Sequence, residues 1–458
     1  MQQAMTKILQ SEAPLMVFLR YLLVGAVILM GLARLRITLI LLALSENFKE
    51  RDILQIYLMA KGLVSGLNPY LPVDVLAEKF IGSFPYFPHP APYPPINAIL
   101  FIPLLALNFK NAMLAWYVFE VICLGAIASM LVYLWRERFT WGGAIFMFFL
   151  LLAWFPFMAD LEVGQLSVLL TLLLLAALLA LRKEHRILAG GLIGLSVALK
   201  VITWPLILYF ALKKDWRTLI SSALTAIGLN LIALLVMGAG PFMNYYLHVS
   251  TQVLEIYHKF WANLSIYTIG YRLFEGTDSA IFVSYINAPP LINLPGLAPL
   301  VSIGLMAIFL VCGLKWALRS SDAQTSIAIL VCLIVAISPI VWDHYYVMII
   351  ISLVIMLRNL ANRSFPTQQT IIYILIVLLL FLFNDRIGPA IIFLNGGKDL
   401  LQANGGKITF ASSLLAWLPM LEITILGILL SRSGSAENNA IAPQHEFKQL
   451  NGEISLLN

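Results

Sequence analysis

Residues 326–357, SIAILVCLIVAISPIVWDHYYVMIIISLVIML, decide the fold class of this chain. Two apolar runs flank the short polar and aromatic sequence WDHYY, and a bilayer core about 30 Å thick requires ~20 apolar residues per helical span. The same alternation repeats along the chain, of which 61% is hydrophobic and only 11% charged. Soluble domains have roughly 45–50% apolar and about 25% charged residues. The sequence therefore predicts an integral membrane protein.

Repeated runs of this type also predict the domain organisation. The expected fold is all-α, a polytopic transmembrane helical bundle with about 11–13 spans and short helices in its extracytoplasmic loops. Residues 1–13 are expected to form a cytoplasmic N-terminus, residues 14–430 the membrane domain and residues 431–458 a cytoplasmic tail. Within the membrane domain, the polar regions 45–92 and 238–294 are the long extracytoplasmic loops.

The basic residues indicate an orientation and no nucleic-acid partner. The formal net charge is +6, but lysines and arginines lie in short clusters between apolar runs, such as 182–186, 213–217 and 315–319. Such clusters are typical of cytoplasmic loops. The joints at the other ends of the runs, among them 159–165 and 342–346, are then expected to be extracytoplasmic.

The side of the membrane on which Asp52 lies depends on the number of crossings that follow it. If every apolar run between Asp52 and Arg182 crossed, Asp52 would be cytoplasmic. The run 93–109 is short and contains three prolines, so it is the first choice for a run that does not cross, and 141–158 is the second. With one such run, Asp52 is extracytoplasmic.

The stretch 50–70, ERDILQIYLMAKGLVSGLNPY, places an acidic residue directly behind the first long apolar run. Here Asp52 is a candidate general base, because a carboxylate within hydrogen-bond reach of an acceptor hydroxyl can take its proton. The alternative is a solvated residue at a helix start, where Asp is favoured. Tyr57 and Tyr70 are aromatic anchors of the interfacial segment that follows.

Two further stretches place ionisable side chains among apolar ones. Lys200 lies in LSVALKVITWP, either at the tip of a hairpin of two short runs or inside one long helix. Charges at membrane depth usually serve a site or find a partner; the alternative is a lysine that extends to the interface. In WDHYY, Asp343 and His344 form a titratable pair that an aromatic belt does not require. The alternative there is a capped helix end with a surface histidine.

The long loop 238–294 contains the amphipathic aromatic segment HKFWANLSIYTIGYRLFEG. Its Arg272 is of the residue type that binds a phosphate through two parallel hydrogen bonds. Asp160 and Glu162 have the spacing of a D-x-E metal site, but two carboxylates are too few for a metal prediction. Because no nucleotide-binding motif is present either, the sequence predicts neither a metal nor another cofactor.

Several of these stretches occur together in one known family. In chain order they are DILQIYLMAKGLVSGLNPY, the YPP that begins at Tyr93, VGQLSVLL, AGGLIGLSVALKVITWPLIL with KKDW, NLSIYTIGYR and SPIVWDHYY. Between about residues 45 and 360 their order resembles glycosyltransferase family 87. Members of that family are polytopic GT-C-fold enzymes, typified by α-mannosyltransferases that use polyprenyl-phosphate-mannose.

The resemblance implies transfer of a hexose, with mannose as the expected sugar, from a polyprenyl-phosphate donor to a hydroxyl of a lipid-linked or glycan acceptor. It implies inversion, a site on the extracytoplasmic face of the bacterial inner membrane, and no cofactor, since the lipid-phosphate sugar is a substrate. Asp52 matches the catalytic aspartate of the family. Lys200, Arg272 and His344 match its phosphate-facing positions. The positions expected to contact substrate are Tyr57, Asn68, Tyr70, Tyr93, Gln165, Asn263, Trp342 and Asp343.

Two other classes of protein also fit a polytopic bundle. A transporter or lipid flippase places its polar residues near the bilayer midplane and often shows inverted repeats. Here most charged candidates lie at one face and no repeat is visible. An O-antigen-type polymerase or ligase would use a diphosphate-linked donor and more arginines in its outer loops. Sugar transfer from a monophosphate lipid is therefore the favoured hypothesis.

Overall fold

The computed structural model describes residues 14–44, 51–82, 89–277, 286–362, 367–382 and 386–433. These stretches are mainly helical, and the described residues contain no β-sheet, only an isolated bridge between Asn287 and Lys407. The predicted all-α polytopic fold class is therefore confirmed. The expected N-terminal segment 1–13 lies outside the described residues, as does the expected tail from residue 434 onward.

The helices are numbered here in chain order. Up to residue 163 they are α1 (Pro14–Leu44), α2 (Ile53–Val64), α3 (Val73–Ile81), α4 (Ile96–Leu100), α5 (Phe109–Arg136), α6 (Trp141–Ala153) and α7 (Phe155–Val163). The next set is α8 (Ser167–Arg182), α9 (Arg186–Leu199), α10 (Pro205–Leu212), α11 (Trp216–Met237), α12 (Ala239–Asn244), α13 (Ser250–Tyr257) and α14 (Thr268–Phe274). The last set is α15 (Ala298–Arg319), α16 (Ala323–Ile337), α17 (Ile349–Asn362), α18 (Thr367–Leu382), α19 (Ile387–Leu394), α20 (Lys398–Ala403) and α21 (Phe410–Ser433).

Six of the described helices are long and apolar enough to cross a membrane, namely α1, α5, α11, α15, α17 and α21, where α15 and α17 include the 3₁₀ turn before each. α6 and α7 add a seventh span if the pair, which is bent by 72°, counts as one. The expectation of about 11–13 spans also counted shorter apolar runs, which form helices of 10–17 residues. Such helices are about 15–26 Å long, less than the thickness of the hydrocarbon core.

Both runs that the sequence singled out as possibly non-crossing are irregular. The run 93–109 forms the five-residue α4 and the 3₁₀ turn Ile102–Ala106, so it contains no helix of spanning length. The run 141–158 is divided between α6 and α7 at Trp154, whose backbone is extended. Pro156 follows in the first turn of α7, where a missing amide hydrogen is tolerated. Residues 101–108 and Trp154 are therefore points at which the α-helical path of the chain is interrupted.

Burial differs between helices as a membrane bundle requires. Every residue of α16 from Thr325 to Ile337 is buried, so this helix lies at the centre. In contrast, α11 exposes leucines along most of its length, and 84% of the Leu235 surface is accessible. Apolar faces this large are not left in water. The exposed face of α11 therefore fits a lipid environment.

α9 packs closely against α11 and ends directly before Lys200. Gly190 and Gly194 face the backbone of α11, and a Cβ on Gly194 would lie 2.3 Å from the Ser222 carbonyl oxygen. Small residues at this spacing let membrane helices approach closely. α9 ends at Leu199, and Lys200 is extended, with φ −152° and ψ 111°. The break between two short helices is therefore the arrangement found at Lys200, and the alternative of one continuous helix is wrong.

Two groups of polar side chains lie at opposite ends of α8 and α9. At one end, Arg182 and Arg358 both contact the Glu137 carboxylate. At the other end, the side chains of Gln165 and Lys200 are hydrogen-bonded. α8 and α9 have 16 and 14 residues, so about 21–24 Å separate the two groups along the helix axes. The second group forms the candidate site.

Candidate active site

Asp52 stands directly before α2, but its carboxylate does not cap that helix. Its backbone is helical, with φ −62° and ψ −29°, and the side chain forms no capping hydrogen bond. Instead, Oδ1 accepts from Gln55 Nε2 at 3.1 Å and Oδ2 accepts from Gln165 Nε2 at 2.6 Å. The residue is partly buried. These contacts differ from those of a solvated residue at a helix start.

Burial raises the pKa of Asp52 above its ordinary value of 3.8. The loss of water around the carboxylate is the largest cause. Gln165, Lys200 and Gln55 each act in the opposite direction, because they stabilise the charged form. A carboxylate with a raised pKa is a stronger proton acceptor than an exposed aspartate. The position therefore suits general-base chemistry.

The turn between α7 and α8 carries Gln165 to Asp52. Gly164 ends α7 with φ +68°, a conformation that favours glycine. A Cβ at this position would lie 2.9 Å from the Ile53 side chain at the start of α2. The amides of Gly164 and Gln165 both donate to the Asp160 carbonyl oxygen, at 2.8 and 3.2 Å. The missing side chain thus lets the turn approach α2 and brings Gln165 against Asp52.

The ammonium group of Lys200 lies on the other side of the same glutamine. Its Nζ donates to Gln165 Oε1 at 3.2 Å and lies 4.0 Å from the centroid of the Tyr345 ring, a cation–π contact. The Gln165 amide therefore joins Asp52 at one end and Lys200 at the other. Within the described residues, Lys200 has no carboxylate oxygen within the 4.0 Å of an ion pair.

Tyr93 lies beside Asp52 and is supported by Tyr70. Burial, together with the charge of Asp52, raises the pKa of the buried Tyr93 hydroxyl well above its ordinary value. The Tyr70 hydroxyl donates to the Tyr93 carbonyl oxygen at 2.9 Å, and Asn68 Oδ1 accepts from the Tyr70 amide at 3.0 Å. The structure thus brings Tyr93 to the site, while Tyr70 holds the Tyr93 backbone and Asn68 holds the backbone of Tyr70.

Asn97 connects the loop that contains Tyr93 to the segment that contains Lys200. It is fully buried, and its Nδ2 donates to the carbonyl oxygens of Pro94 at 3.0 Å and Leu199 at 2.9 Å. Carbonyl groups at the end of a helix have no partner within the helix. Asn97 satisfies the carbonyl group of Leu199, which directly precedes Lys200, and so fixes the backbone from which Lys200 extends.

His344 lies next to Lys200 on the 3₁₀ turn Asp343–Met348. The imidazole is buried, its ring centroid is 5.0 Å from that of Tyr345, and Lys200 is close enough to act on it electrostatically. Its Nε2 forms no hydrogen bond to the described residues. A buried ring nitrogen of this kind is available to a ligand that enters the site.

The segment 263–266 supports the joint that carries His344. Two of its amides donate to carbonyl oxygens of the segment 336–341, at 2.8 and 3.2 Å. Asn263 adds a side-chain contact, because its Oδ1 accepts from the Val341 amide at 2.9 Å. The two sequence motifs NLSIYTIGYR and SPIVWDHYY therefore lie side by side, and Asn263 supports the joint without contacting Asp52 or Lys200 in the described part of the chain.

Arg272 is attached to this supporting loop. Only 2% of its surface is exposed, and Nη2 donates to the carbonyl oxygens of Trp261 and Asn263, both at 2.6 Å. Burial lowers the pKa of Arg272 to about 9. Its Nε and Nη1 form no hydrogen bond to the described residues. No described contact joins Arg272 to Lys200, and the contacts of Arg272 are to the supporting loop.

The remaining expected substrate contacts occupy positions around the site. The Tyr57 hydroxyl donates to the Leu107 carbonyl oxygen at 3.0 Å and ties α2 to the start of α5. Trp342 packs edge-on against two aromatic rings at centroid distances of 5.5 and 5.3 Å. Asp343 is partly buried next to His344. None of these three side chains contacts Asp52 in the described stretches.

Asp160 and Glu162 point to different partners. Asp160 accepts from the amides of Ser167 and Val168, at 3.3 and 3.0 Å, and so satisfies the N-terminus of α8. Glu162 Oε1 accepts from the Thr38 hydroxyl at 3.4 Å. The described residues contain no group of three or more His, Cys, Asp or Glu that is suited to a metal. The two carboxylates of the D-x-E sequence therefore make separate structural contacts.

Three residues of the site were not expected from the sequence. Gln55 follows Asp52 by three positions, a spacing that places both on one helix face, and this was the available signal. Tyr345 was attributed to an aromatic belt, but it is buried against Lys200. Asn97 is a lone amide in an apolar, proline-rich run, a signal too weak to specify its partners.

The cluster combines a base with groups that can bind an anion. Asp52 can accept a proton, while the Lys200 ammonium and the His344 imidazole can stabilise negative charge nearby. Among the described carboxylates near Lys200, Asp52 is the one placed for acid–base chemistry, because Asp160 accepts from the amides at the start of α8. Glycoside hydrolysis, in contrast, uses a pair of carboxylates. The arrangement therefore suits displacement of an anionic leaving group by a hydroxyl.

The glycosyltransferase family 87 model matches residues 92–339, more than half of the chain. The matched range contains Tyr93, Gln165 and Lys200, ends shortly before His344, and begins after Asp52. No curated protein and no solved structure shows significant similarity to the chain.

Proposed function

This chain belongs to glycosyltransferase family 87, and we propose that it transfers a hexose, mannose by family resemblance, from a polyprenyl-phosphate donor to an acceptor hydroxyl. As a member of that family it is a membrane glycosyltransferase, so the transporter and flippase alternatives are set aside. The proposed acceptor is a lipid-linked sugar or a glycan, and the proposed location is the extracytoplasmic face of the bacterial inner membrane. The observation that carries the proposal is the Asp52–Gln165–Lys200 network.

Asp52 acts as the general base of the proposed reaction. It takes the proton from the acceptor hydroxyl as the hydroxyl oxygen attacks the anomeric carbon. The bond from that carbon to the phosphate oxygen breaks, and polyprenyl phosphate leaves with the electron pair. The proton then passes from Asp52 to water. Because burial raises the pKa of Asp52, proton uptake from the hydroxyl is more favourable than it would be to an exposed carboxylate.

Lys200 stabilises the leaving phosphate in this scheme. An ammonium group has three N–H donors, and one of them is directed to Gln165. Donors therefore remain for a phosphate oxygen, where charge develops in the transition state. His344 lies beside Lys200 and contributes a ring nitrogen to the same phosphate. Arg272, whose Nε and Nη1 have no hydrogen bond to the described residues, is the further cation proposed for phosphate binding.

The position of Lys200 in the fold suits a lipid-linked donor. Lys200 lies at the break between two short apolar helices, α9 and α10, and not in a large polar loop. A donor with an isoprenoid tail can keep that tail in the hydrocarbon core and extend its phosphate and sugar to such a joint. A soluble nucleotide sugar would gain nothing from this placement, and the sequence contains no nucleotide-binding motif.

Mass spectrometry of membrane glycolipids and glycans, from cells with and without the gene, tests the proposed function. We expect loss of one product and accumulation of its precursor, smaller by one hexose. Purified protein in liposomes should then transfer labelled mannose from polyprenyl-phosphate-mannose to that precursor, with polyprenyl-phosphate-glucose as the comparison donor. An unchanged profile, or a mass difference other than a hexose, would contradict the proposal.

A further inference from the structure

The site holds two opposite charges apart. The Asp52 carboxylate accepts hydrogen bonds from two glutamine amides, and the Lys200 ammonium contacts a glutamine oxygen and a tyrosine ring. Asp52 and Lys200 interact electrostatically but form no ion pair within 4.0 Å. The group between them is Gln165, with Nε2 at 2.6 Å from Asp52 Oδ2 and Oε1 at 3.2 Å from Lys200 Nζ.

We propose that Gln165 is a positioning residue that prevents an ion pair between Asp52 and Lys200, and so preserves a free base and a free cation in one site. A primary amide suits this task because it carries a donor and an acceptor on one planar group. It can therefore bond a carboxylate and an ammonium at the same time without charge of its own. The catalytic meaning of this separation rests on the proposed function, whereas the separation itself does not.

A direct ion pair would weaken both the base and the cation. An opposite charge within about 4–6 Å lowers the pKa of an aspartate by about 1–3, which would make Asp52 a weaker base. The carboxylate would also neutralise the charge of the Lys200 ammonium and so weaken its attraction for a phosphate. Separation by a neutral amide leaves each group oriented and chemically available.

The backbone keeps Gln165 in this place. Its amide donates to the Asp160 carbonyl oxygen at 3.2 Å, and its side chain is buried. The preceding Gly164 packs so closely against Ile53 that a Cβ would lie 2.9 Å away. The turn is therefore held against the start of α2, which places the Gln165 backbone beside Asp52, and the hydrogen bonds to Asp52 and Lys200 orient its side-chain amide.

The other charged and titratable groups around the pair come from four elements. They are Arg51 in the turn before α2, Tyr93 in the loop before α4, Asp160 in α7, and His344 and Tyr345 in the 3₁₀ turn before α17. Each acts on Asp52 or on Lys200 from one side. Among the described hydrogen bonds, those of Gln165 are the ones that reach both members of the pair.

The variant Gln165→Ala tests the inference through the protonation state of Asp52. The full-length protein is treated with a hydrophobic carbodiimide, which reacts with protonated carboxyl groups. Mass spectrometry then measures the labelled fraction of the Asp52 peptide between about pH 4 and pH 9. Without the amide, Lys200 pairs with Asp52. We expect the pH of half-maximal labelling to fall by about 1 or more.

The sign of this change separates the proposed role from simple loss of a hydrogen bond. The Gln165 hydrogen bond itself lowers the pKa of Asp52, so its loss alone would raise the pH of half-maximal labelling. Gln55→Ala is the matched control, because Gln55 donates to the other oxygen of Asp52 and has no described contact with Lys200. We expect a rise for Gln55→Ala, and no fall for Gln165→Ala combined with Lys200→Gln. A rise or no change for Gln165→Ala alone would overturn the proposal.

Thermal unfolding of each variant verifies that it is folded, and Gln165→Ser replaces Gln165→Ala if the alanine variant is not. Transfer from polyprenyl-phosphate-mannose provides the second measurement. For Gln165→Ala we expect a lower kcat and an acid limb of the pH–rate profile that moves to lower pH. If wild-type protein transfers sugar but the pH of half-maximal labelling does not fall in Gln165→Ala, the inference alone fails. If wild-type protein transfers no sugar while the pH of half-maximal labelling falls in Gln165→Ala, the proposed function fails. The role of Gln165 in separating Asp52 from Lys200 then stands.

Discussion

Oppositely charged side chains are arranged differently at the two ends of α8 and α9. At one end, Arg182 and Arg358 contact the Glu137 carboxylate directly, and 60% of the Glu137 side chain is exposed. At the other end, Gln165 separates Asp52 from Lys200, and both charged residues are partly buried. The same kinds of charge are thus paired at one end and kept apart at the other.

Access to solvent explains why the two arrangements have different consequences. An exposed ion pair contributes about 0–1 kcal/mol, because water already screens its charges. In a buried site the same charges interact more strongly. A direct pair there would fix the protonation state of the base and occupy the cation. Buried charges that are oriented by neutral groups therefore mark the end of this molecule where chemistry is expected.

The largest expected effect is that of Asp52→Asn. The asparagine cannot accept the acceptor proton, so we expect transfer from a polyprenyl-phosphate sugar to fall by about 10²–10⁴-fold, measured with labelled donor in liposomes. Because burial raises the pKa of Asp52, wild-type activity should also decline on acidification at a pH above that of an ordinary aspartate. Asp74→Asn is the control, since among the described residues the Asp74 carboxylate accepts from an exposed amide and makes no contact with Asp52 or Lys200. Wild-type turnover by Asp52→Asn would exclude the assigned base.

A somewhat smaller effect is expected for Lys200→Gln. Loss of the ammonium removes charge stabilisation of the leaving phosphate, which we expect to lower kcat by about 10²–10³-fold. Lys200→Arg should retain part of the activity. Lys213→Gln is the matched control, because the Lys213 ammonium also contacts a tyrosine but does so outside the site. Equal losses in both glutamine variants would show that the two lysines do not differ as proposed.

A moderate effect is expected for Asn97→Leu. The substitution leaves the Leu199 carbonyl group buried without its partner, a loss of about 1–3 kcal/mol in stability. Thermal unfolding measures this loss, and donor KM should rise because the backbone at Lys200 is no longer fixed. Asn230→Leu is the control, since the Asn230 side chain bonds a carbonyl group of its own helix and the Tyr246 hydroxyl, both away from Lys200. An unchanged KM would show that Asn97 does not position Lys200.

The smallest effect is expected for Glu137→Gln at the exposed cluster. Loss of both arginine contacts should change the free energy of unfolding by less than about 1 kcal/mol, and less still at high salt. Denaturant titration at two salt concentrations measures this difference. Transfer activity should remain at the wild-type level. A loss of transfer comparable to that of Lys200→Gln would remove the distinction between the two ends.

The sequence was most informative where function depends on residue type and chain order. The ordered motifs predicted the family, which the family match confirms, and five of the named positions meet at the site: Asp52, Tyr93, Gln165, Lys200 and His344. Their mutual contacts were not predictable, since Asp52 and Gln165 are 113 positions apart. Arg272 was named for its capacity to bind phosphate, but capacity does not specify a neighbour, and its guanidinium contacts the backbone of a supporting loop.

By itself, the sequence determined that this protein is an all-α membrane bundle, because long apolar runs must leave water whatever their neighbours are. The order of its motifs indicated glycosyltransferase family 87. Only the tertiary structure decided that Gln165 lies between Asp52 and Lys200, that Asn97 fixes the chain before Lys200, and that Lys200 lies at a break between two short helices and not inside one long helix. Each of these depends on hydrogen bonds about 3 Å long. Such distances are set by the packing of segments that are remote in the chain.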